Sequence, residues 1–155
     1  MLIHSAKLKN MFEKLFLLVK NNAGTAVINN PDIPEQYHDA VINDASSSII
    51  EVLKGQMEMG MLKDLINFFQ LSGIHNKSIV KSIVNRFANK LNTYYDIDPV
   101  TALRTANALI KPVMDELVKQ SKNETNVDFG LSNLLSKLTG GERDMSGLVN
   151  YMMIA

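Results

Sequence analysis

The 25 residues Asp32 to Gln56, DIPEQYHDAVINDASSSIIEVLKGQ, are answered 64 positions later by Asp96 to Gln120, DIDPVTALRTANALIKPVMDELVKQ. Each stretch opens on Asp-Ile close to a proline. Each then sets apolar residues four apart: Ala45, Ile49 and Leu53 in the first, Leu109, Val113 and Leu117 in the second. Residues at that spacing share one side of an α-helix. Proline suits a first helical turn, where its missing N–H would have no intrahelical partner, and Asp98 before Pro99 is a good N-cap. The spacing predicts helices beginning near Pro34 or Glu35 and at Pro99, with Gly55 and Gln120 as their ends. Five of the 25 aligned positions are identical: Asp32/Asp96, Ile33/Ile97, Asn43/Asn107, Leu53/Leu117 and Gln56/Gln120. Pro112 removes the bond to the Ala108 carbonyl and should kink or break the second helix. Its partner position is Ser48, in a serine run whose hydroxyls compete for backbone partners and can bend the first.

Outward from these two stretches every segment has the helical period. Phe12, Leu15, Phe16 and Val19 make one face of a helix over Met11–Val19, with Gly24 expected in a left-handed cap. Met61, Leu62, Leu65, Ile66, Phe68 and Phe69 make a short helix closed by Ser72-Gly73. Another starts at Asn76 or Lys77 and turns Ile79, Val80, Ile83, Val84, Phe87 and Leu91 to one side, with Asn92–Tyr95 as its exit. After a polar loop over Ser121–Asp128, Leu131, Leu134, Leu135 and Leu138 form a short helix stopped by Gly140-Gly141, and a last helix is expected over Ser146–Met153. No alternating strand pattern or Asn-Gly or Asp-Gly hairpin turn is present. The expected fold is all-α, a single-domain bundle of six to seven helices. It has two pseudo-repeated three-helix halves at 11–73 and 76–141 and a helical tail over 142–155.

Composition narrows the function. A chain of 155 residues with 46% apolar content fits one soluble globular domain. It has no cysteine, which excludes disulfides, thiolate metal sites and cysteine nucleophiles. Net charge is zero, so no global field favours nucleic acid or an anionic membrane. The charges are nonetheless segregated. Residues 32–64 carry seven acids against Lys54 and Lys63, and residues 65–95 carry Lys77, Lys81, Arg86 and Lys90 with no acid. Neighbouring helices are expected to neutralise one another. No apolar run reaches the length of about 20 residues that a membrane span needs. Leu15–Val19 is too short for a signal segment, so a cytoplasmic location is expected. Met11 offers an alternative start that would make residues 1–10 dispensable.

Site chemistry is sparse. His4, His38 and His75 are far apart in sequence. Glu35 and His38 have the Glu-x-x-His spacing of di-iron bundles, but such a site needs the motif twice, and the repeat places Pro99 and Ala102 there instead. No nucleophile elbow, phosphate loop or dinucleotide fingerprint occurs. Asp115-Glu116 and Glu142-x-Asp144 read as surface carboxylates. Tyr94-Tyr95 beside Arg86 and Lys90 has the ingredients for base stacking, yet those two cations lie around the helix from Lys77 and Lys81 and form no single basic stripe. Asn76-Lys77-Ser78 and Asn123-Glu124-Thr125 match the glycosylation sequon by chance. Met57, Met59 and Met61 suit either an adaptable surface or irregular core space. The expectation is no enzyme, with no catalytic, cofactor-binding or metal residues and no nucleic-acid partner.

Ala106-x-x-Leu109-Ile110-x-Pro112-Val113-Met114, followed by Gly130-x-x-x-Leu134-Leu135-x-x-Leu138-x-Gly140-Gly141, resembles the YidB-like family of small bacterial helical proteins over roughly Phe12 to Gly141. The resemblance implies a bacterial all-α protein and supplies no catalytic residue. Two functions are expected in order: a self-associating interaction or scaffold module, prompted by the apolar helices and the tail Leu148–Ile154, and a binder of a small molecule or lipid with an apolar pocket near the Pro112 bend. An enzyme assembled from scattered Asp, Glu, Tyr and Lys is the third.

Overall fold

The computed structural model describes residues 2–70 and 77–139, with side chains described from Lys9 onward. They form an all-α bundle of six α-helices: α1 (Leu2–Asn21), α2 (His38–Glu58), α3 (Leu62–Gln70), α4 (Lys77–Tyr95), α5 (Pro99–Ser121) and α6 (Leu131–Leu138). A π-helical turn over Gly24–Ile28 and a 3-10 turn over Glu35–Tyr37 connect α1 to α2. The expected stops at Ser72-Gly73 and Gly140-Gly141, the last helix over Ser146–Met153 and the apolar tail lie outside the described residues.

All six helices contribute to one core, in which Phe68, Phe69, Phe87, Ile49, Leu53 and Leu65 are among the largest fully buried side chains. α4 and α5 are joined by residues 96–98 and pack along their length, so they run antiparallel. α2 lies against α4 and α1, and α6 closes over α1. The buried side of α1 is Met11, Leu15, Leu18 and Val19. Phe12 and Phe16, expected at its centre, sit at the margin of the core. An apolar helix with residues to spare on both sides is oriented by its neighbours, not by its own period.

The two 25-residue stretches share their register. Ile33 and Ile97 are both buried ahead of the helix, and the next residues, Pro34 and Asp98, have nearly the same backbone, φ −58°/ψ 148° and φ −58°/ψ 150°. Ile42/Ala106, Ala45/Leu109, Ile49/Val113 and Leu53/Leu117 are all buried pairs. The starts differ. Asp98 accepts a bond from the Thr101 N–H at 3.0 Å and α5 begins at once. The Thr101 hydroxyl first, and then this N–H, hold the Asp98 carboxyl below the usual carboxylate range. Proline at position 34 has no acceptor, and a 3-10 turn precedes α2. The match does not extend to packing, since α2 lies broadly on α4 whereas α1 and α5 touch lightly.

Three expected boundaries change. Gly55 lies inside α2, which runs on to Glu58. The stop is Gly60, at φ +75°, where the Gly60 N–H bonds the Met57 carbonyl at 3.1 Å and the Met61 N–H bonds that of Gln56 at 2.9 Å, a Schellman closure. Gly24 opens the π-helical turn and has no positive φ. α4 continues through Tyr95, and Asp96, at φ 55°, makes the reversal into α5. The glycine inside α2 and the glycine that ends it therefore have opposite predicted effects. Nothing lies within 4 Å of a Cβ added at Gly55, so Gly55→Ala is expected to stabilise by about 0.5–1 kcal/mol. Gly60→Ala forces alanine into the left-handed region and is expected to cost about 1 kcal/mol. Urea unfolding of the two variants gives both signs.

Pro112 does not break α5, which is continuous from Pro99 to Ser121. Pro112 and Ala108 are both on the solvent side, so water can take the carbonyl that loses its partner. In α2, Ser46 Oγ donates to the Ile42 carbonyl at 2.8 Å and Ser48 Oγ to that of Asp44 at 2.7 Å. Ser48 is buried where Pro112 is exposed.

Between α5 and α6 the expected polar loop is a tightly bonded knot. The Asn126 side-chain oxygen accepts from the Asp128 and Phe129 N–H groups at 3.0 and 2.9 Å, and its carbonyl accepts from the Gly130 N–H at 2.9 Å. Asn123 Oδ1 accepts from the Thr125 N–H and hydroxyl, so this sequon asparagine serves a turn. Lys137 reaches back to the Val127 carbonyl at 2.9 Å, and burial pushes its ammonium below the usual lysine range.

Candidate functional site

A concavity of about 570 Å³ among the described residues is a groove between α4 and α5 with Phe68 of α3 in its wall. Two ridges of residues four apart border it: Lys77, Lys81 and Asn85 on α4, and Leu103, Asn107, Lys111 and Asp115 on α5. Between them lie Val80, Val84, Met114, Val118 and Phe68, of which all but Val80 are buried. The arrangement follows from helical period, since the outer ridge of each helix is polar apart from Leu103 while the row one step inward is apolar. Because the helices are antiparallel, the groove is polarised. Lys77, Lys81, Lys111 and Asp115 gather toward the α4 start, and neutral Asn85, Asn107 and Leu103 toward the other end. Leu103 is 43% exposed and Val100, one turn back, 67%. Pro112 lies between groove residues Lys111 and Met114. Two smaller depressions, of about 330 and 390 Å³, lie between α1 and the end of α5 and beside Phe69 and Leu131.

The cations of α4 divide between its two sides. Toward α2, Lys90 Nζ lies 2.8 Å from Glu51 Oε1 and 3.0 Å from Ser47 Oγ, and Arg86 approaches the same carboxylate at 3.6 Å. Those two cations are neutralised by the acid-rich helix, as their segregation in sequence suggests. Toward α5, no carboxylate of the described residues lies within 4.0 Å of Lys77, Lys81 or Lys111. The three lysines against Asp115 leave the groove end net positive.

The candidates read from sequence are placed as follows. His38 Nε2 is 3.0 Å from the Ile33 carbonyl and braces the entry to α2, while Asp39 pairs with Lys20 at 3.5 Å. Among the described residues no group of three or more His, Asp or Glu side chains is close enough to hold a metal ion. The side chain of His4, and His75, Asn76, Glu142 and Asp144, lie outside the described side chains. Met57 packs against the core and Met59 projects into solvent. Tyr95 donates to Asp44 Oδ2 and has Tyr37 and Tyr94 at ring distances of 5.6 and 6.3 Å. Its polar neighbours are thus spent on the α2–α4 seam. Sequence reasoning missed the groove lysines as a set because it weighed α4 alone. Lys111 lies 30 positions beyond Lys81, and only the antiparallel pairing brings them to one end.

The seam makes a pH-signed prediction. Burial first, then the bond to Asp44 and the nearby acidic groups, raise the Tyr95 phenol above its ordinary value of 10.0. A raised pKa in the folded state means stability that is complete below pH 10 and is lost as pH climbs above it. Tyr95→Phe is expected to cost about 1 kcal/mol at neutral pH, with the gap from wild type narrowing above pH 10. Urea midpoints at pH 7 and pH 11 test both parts.

No helix of the described residues is long and apolar enough to cross a membrane. Compared with protein-family models, curated proteins and solved structures, the chain has no match.

Proposed function

We propose that the chain is a non-enzymatic protein-interaction module whose working surface is the α4–α5 groove. The observation that carries this reading is a long apolar floor held open between two polar ridges, with partly exposed Leu103 at its edge. Its α5 wall runs from Leu103 to Val118, about 22 Å at 1.5 Å per residue, the length over which one helix lies along another. The resemblance to the YidB-like family agrees with this reading, since it implies no catalytic residue. The test is a photo-crosslinking residue in place of Leu103, with the same residue at exposed Asn89 as control, in cells that make the protein. Discrete protein adducts from position 103 alone are expected, one at twice the chain's mass if the partner is a second copy. Equal labelling from both positions would sink the proposal.

A second reading has one observation in its favour. The groove volume of about 570 Å³ falls in the range of roughly 300–1,000 Å³ typical of small-ligand sites, and it adjoins Pro112. An amphiphilic small molecule would then be the ligand, and native mass spectrometry of the purified protein would find it bound.

A further inference from the structure

Resting on the interaction reading, we infer that the partner element is an amphipathic helix with acidic residues flanking its apolar stripe. Three observations carry this. The first is shape: two i, i+4 ridges enclose an apolar floor that is open on its solvent side. A helix laid in such a trough buries its stripe and leaves its outer face wet, whereas a small ligand usually has most of its surface buried.

The second is charge. Arg86 and Lys90 of α4 are satisfied by Glu51, while Lys77 and Lys81 on the groove side, with Lys111 opposite, have no carboxylate within 4.0 Å among the described residues. Only Asp115 offsets them along the rim. The third is where the lysines stand. Lys77 and Lys81 occupy the first two turns of α4, which has no acid in its first turn. A cation there opposes the helix dipole, so helix stability does not account for them. Glutamates beside the partner's stripe would meet Lys81 and Lys111 from the two sides, and its apolar residues would lie on Val84, Met114 and Phe68.

Three probes separate the possibilities: a synthetic amphipathic peptide of about 15 residues with leucines at helical spacing and flanking glutamates, its twin with lysines in place of the glutamates, and oleate. Binding is read by fluorescence anisotropy of the labelled peptides and by oleate titration. The protein is wild type or carries both Lys81→Glu and Lys111→Glu, exposed positions whose effect on folding is checked by circular dichroism. The expected result is that wild type prefers the glutamate peptide by about tenfold or more, and that the double variant prefers the lysine peptide. Equal binding of the two peptides, no binding of either, or a preference unchanged in the double variant would each overturn the inference. Oleate binding without peptide binding would also overturn it and favour the small-amphiphile reading. Failure here with protein adducts still formed from position 103 removes the acidic-helix chemistry and leaves the interaction module standing.

Discussion

Gly130→Ala is expected to destabilise the protein by about 2–3 kcal/mol, the upper part of the range for forcing an atom into a closed space. A Cβ on Gly130 would lie 2.7 Å from the Asn126 carbonyl oxygen and 3.0 Å from that of Asn123. Both are backbone atoms, so neither can swing aside like the end of a side chain. Both also work in the turn: the Asn126 carbonyl accepts from the Gly130 N–H, and that of Asn123 from the Asn126 N–H at 3.0 Å. Relieving the clash opens these bonds and shifts α6, whose first residue follows Gly130 and whose Leu131, Leu134, Leu135 and Leu138 are core. The backbone angle of Gly130, φ −52°, is one that alanine adopts freely, so the cost is steric and not conformational. Ser132→Ala, two residues on and also buried, is the control that keeps the backbone. A loss under about 1 kcal/mol for Gly130→Ala in urea unfolding would mean that the knot is looser than its distances indicate.

That glycine shows where sequence reasoning stops. The period of Leu131, Leu134, Leu135 and Leu138 announces α6, and the residues four apart in Ala45–Leu53 and Leu109–Leu117 announce α2 and α5, because burial of one face leaves a repeat in the string. A close approach between Gly130 and the carbonyl of Asn126 leaves none. It arises from the path of a loop, and the sequence offers only a glycine with asparagines before it. Gly55 and Gly60 make the same point, since either glycine could end α2 and only the bonds from Gly60 and Met61 back to Met57 and Gln56 decide. The groove is intermediate. Each ridge is legible as residues four apart, and the absence of acids over residues 65–95 is plain. Which cations Glu51 takes depends on the side of α4 that meets α2, a property of packing and not of either helix alone.

Pro112→Ala is expected to stabilise the protein by about 2 kcal/mol. Proline inside a helix costs about 3 kcal/mol relative to alanine, through the missing N–H and the clash with the carbonyl four residues back. Its restriction of the unfolded chain returns roughly 0.4–1 kcal/mol. Pro112 is exposed and in none of the core contacts, so its ring contributes little packing to set against the difference. The exposed Ala108 carbonyl is solvated in the native protein and would regain a helical partner in the variant. Natural sequences retain such a cost where a local shape is used, and the residues on either side of Pro112 supply Lys111 and Met114 to the groove. A second measurement therefore accompanies the first. If the proline sets the relative position of those two side chains, Pro112→Ala gains stability while its affinity for the glutamate-flanked peptide falls about tenfold, a change of 1.4 kcal/mol. If stability rises and peptide affinity is unchanged, the groove does not depend on the proline. If stability falls, α5 has adapted to the proline along its length, and the helix is shaped around position 112 instead of merely interrupted there.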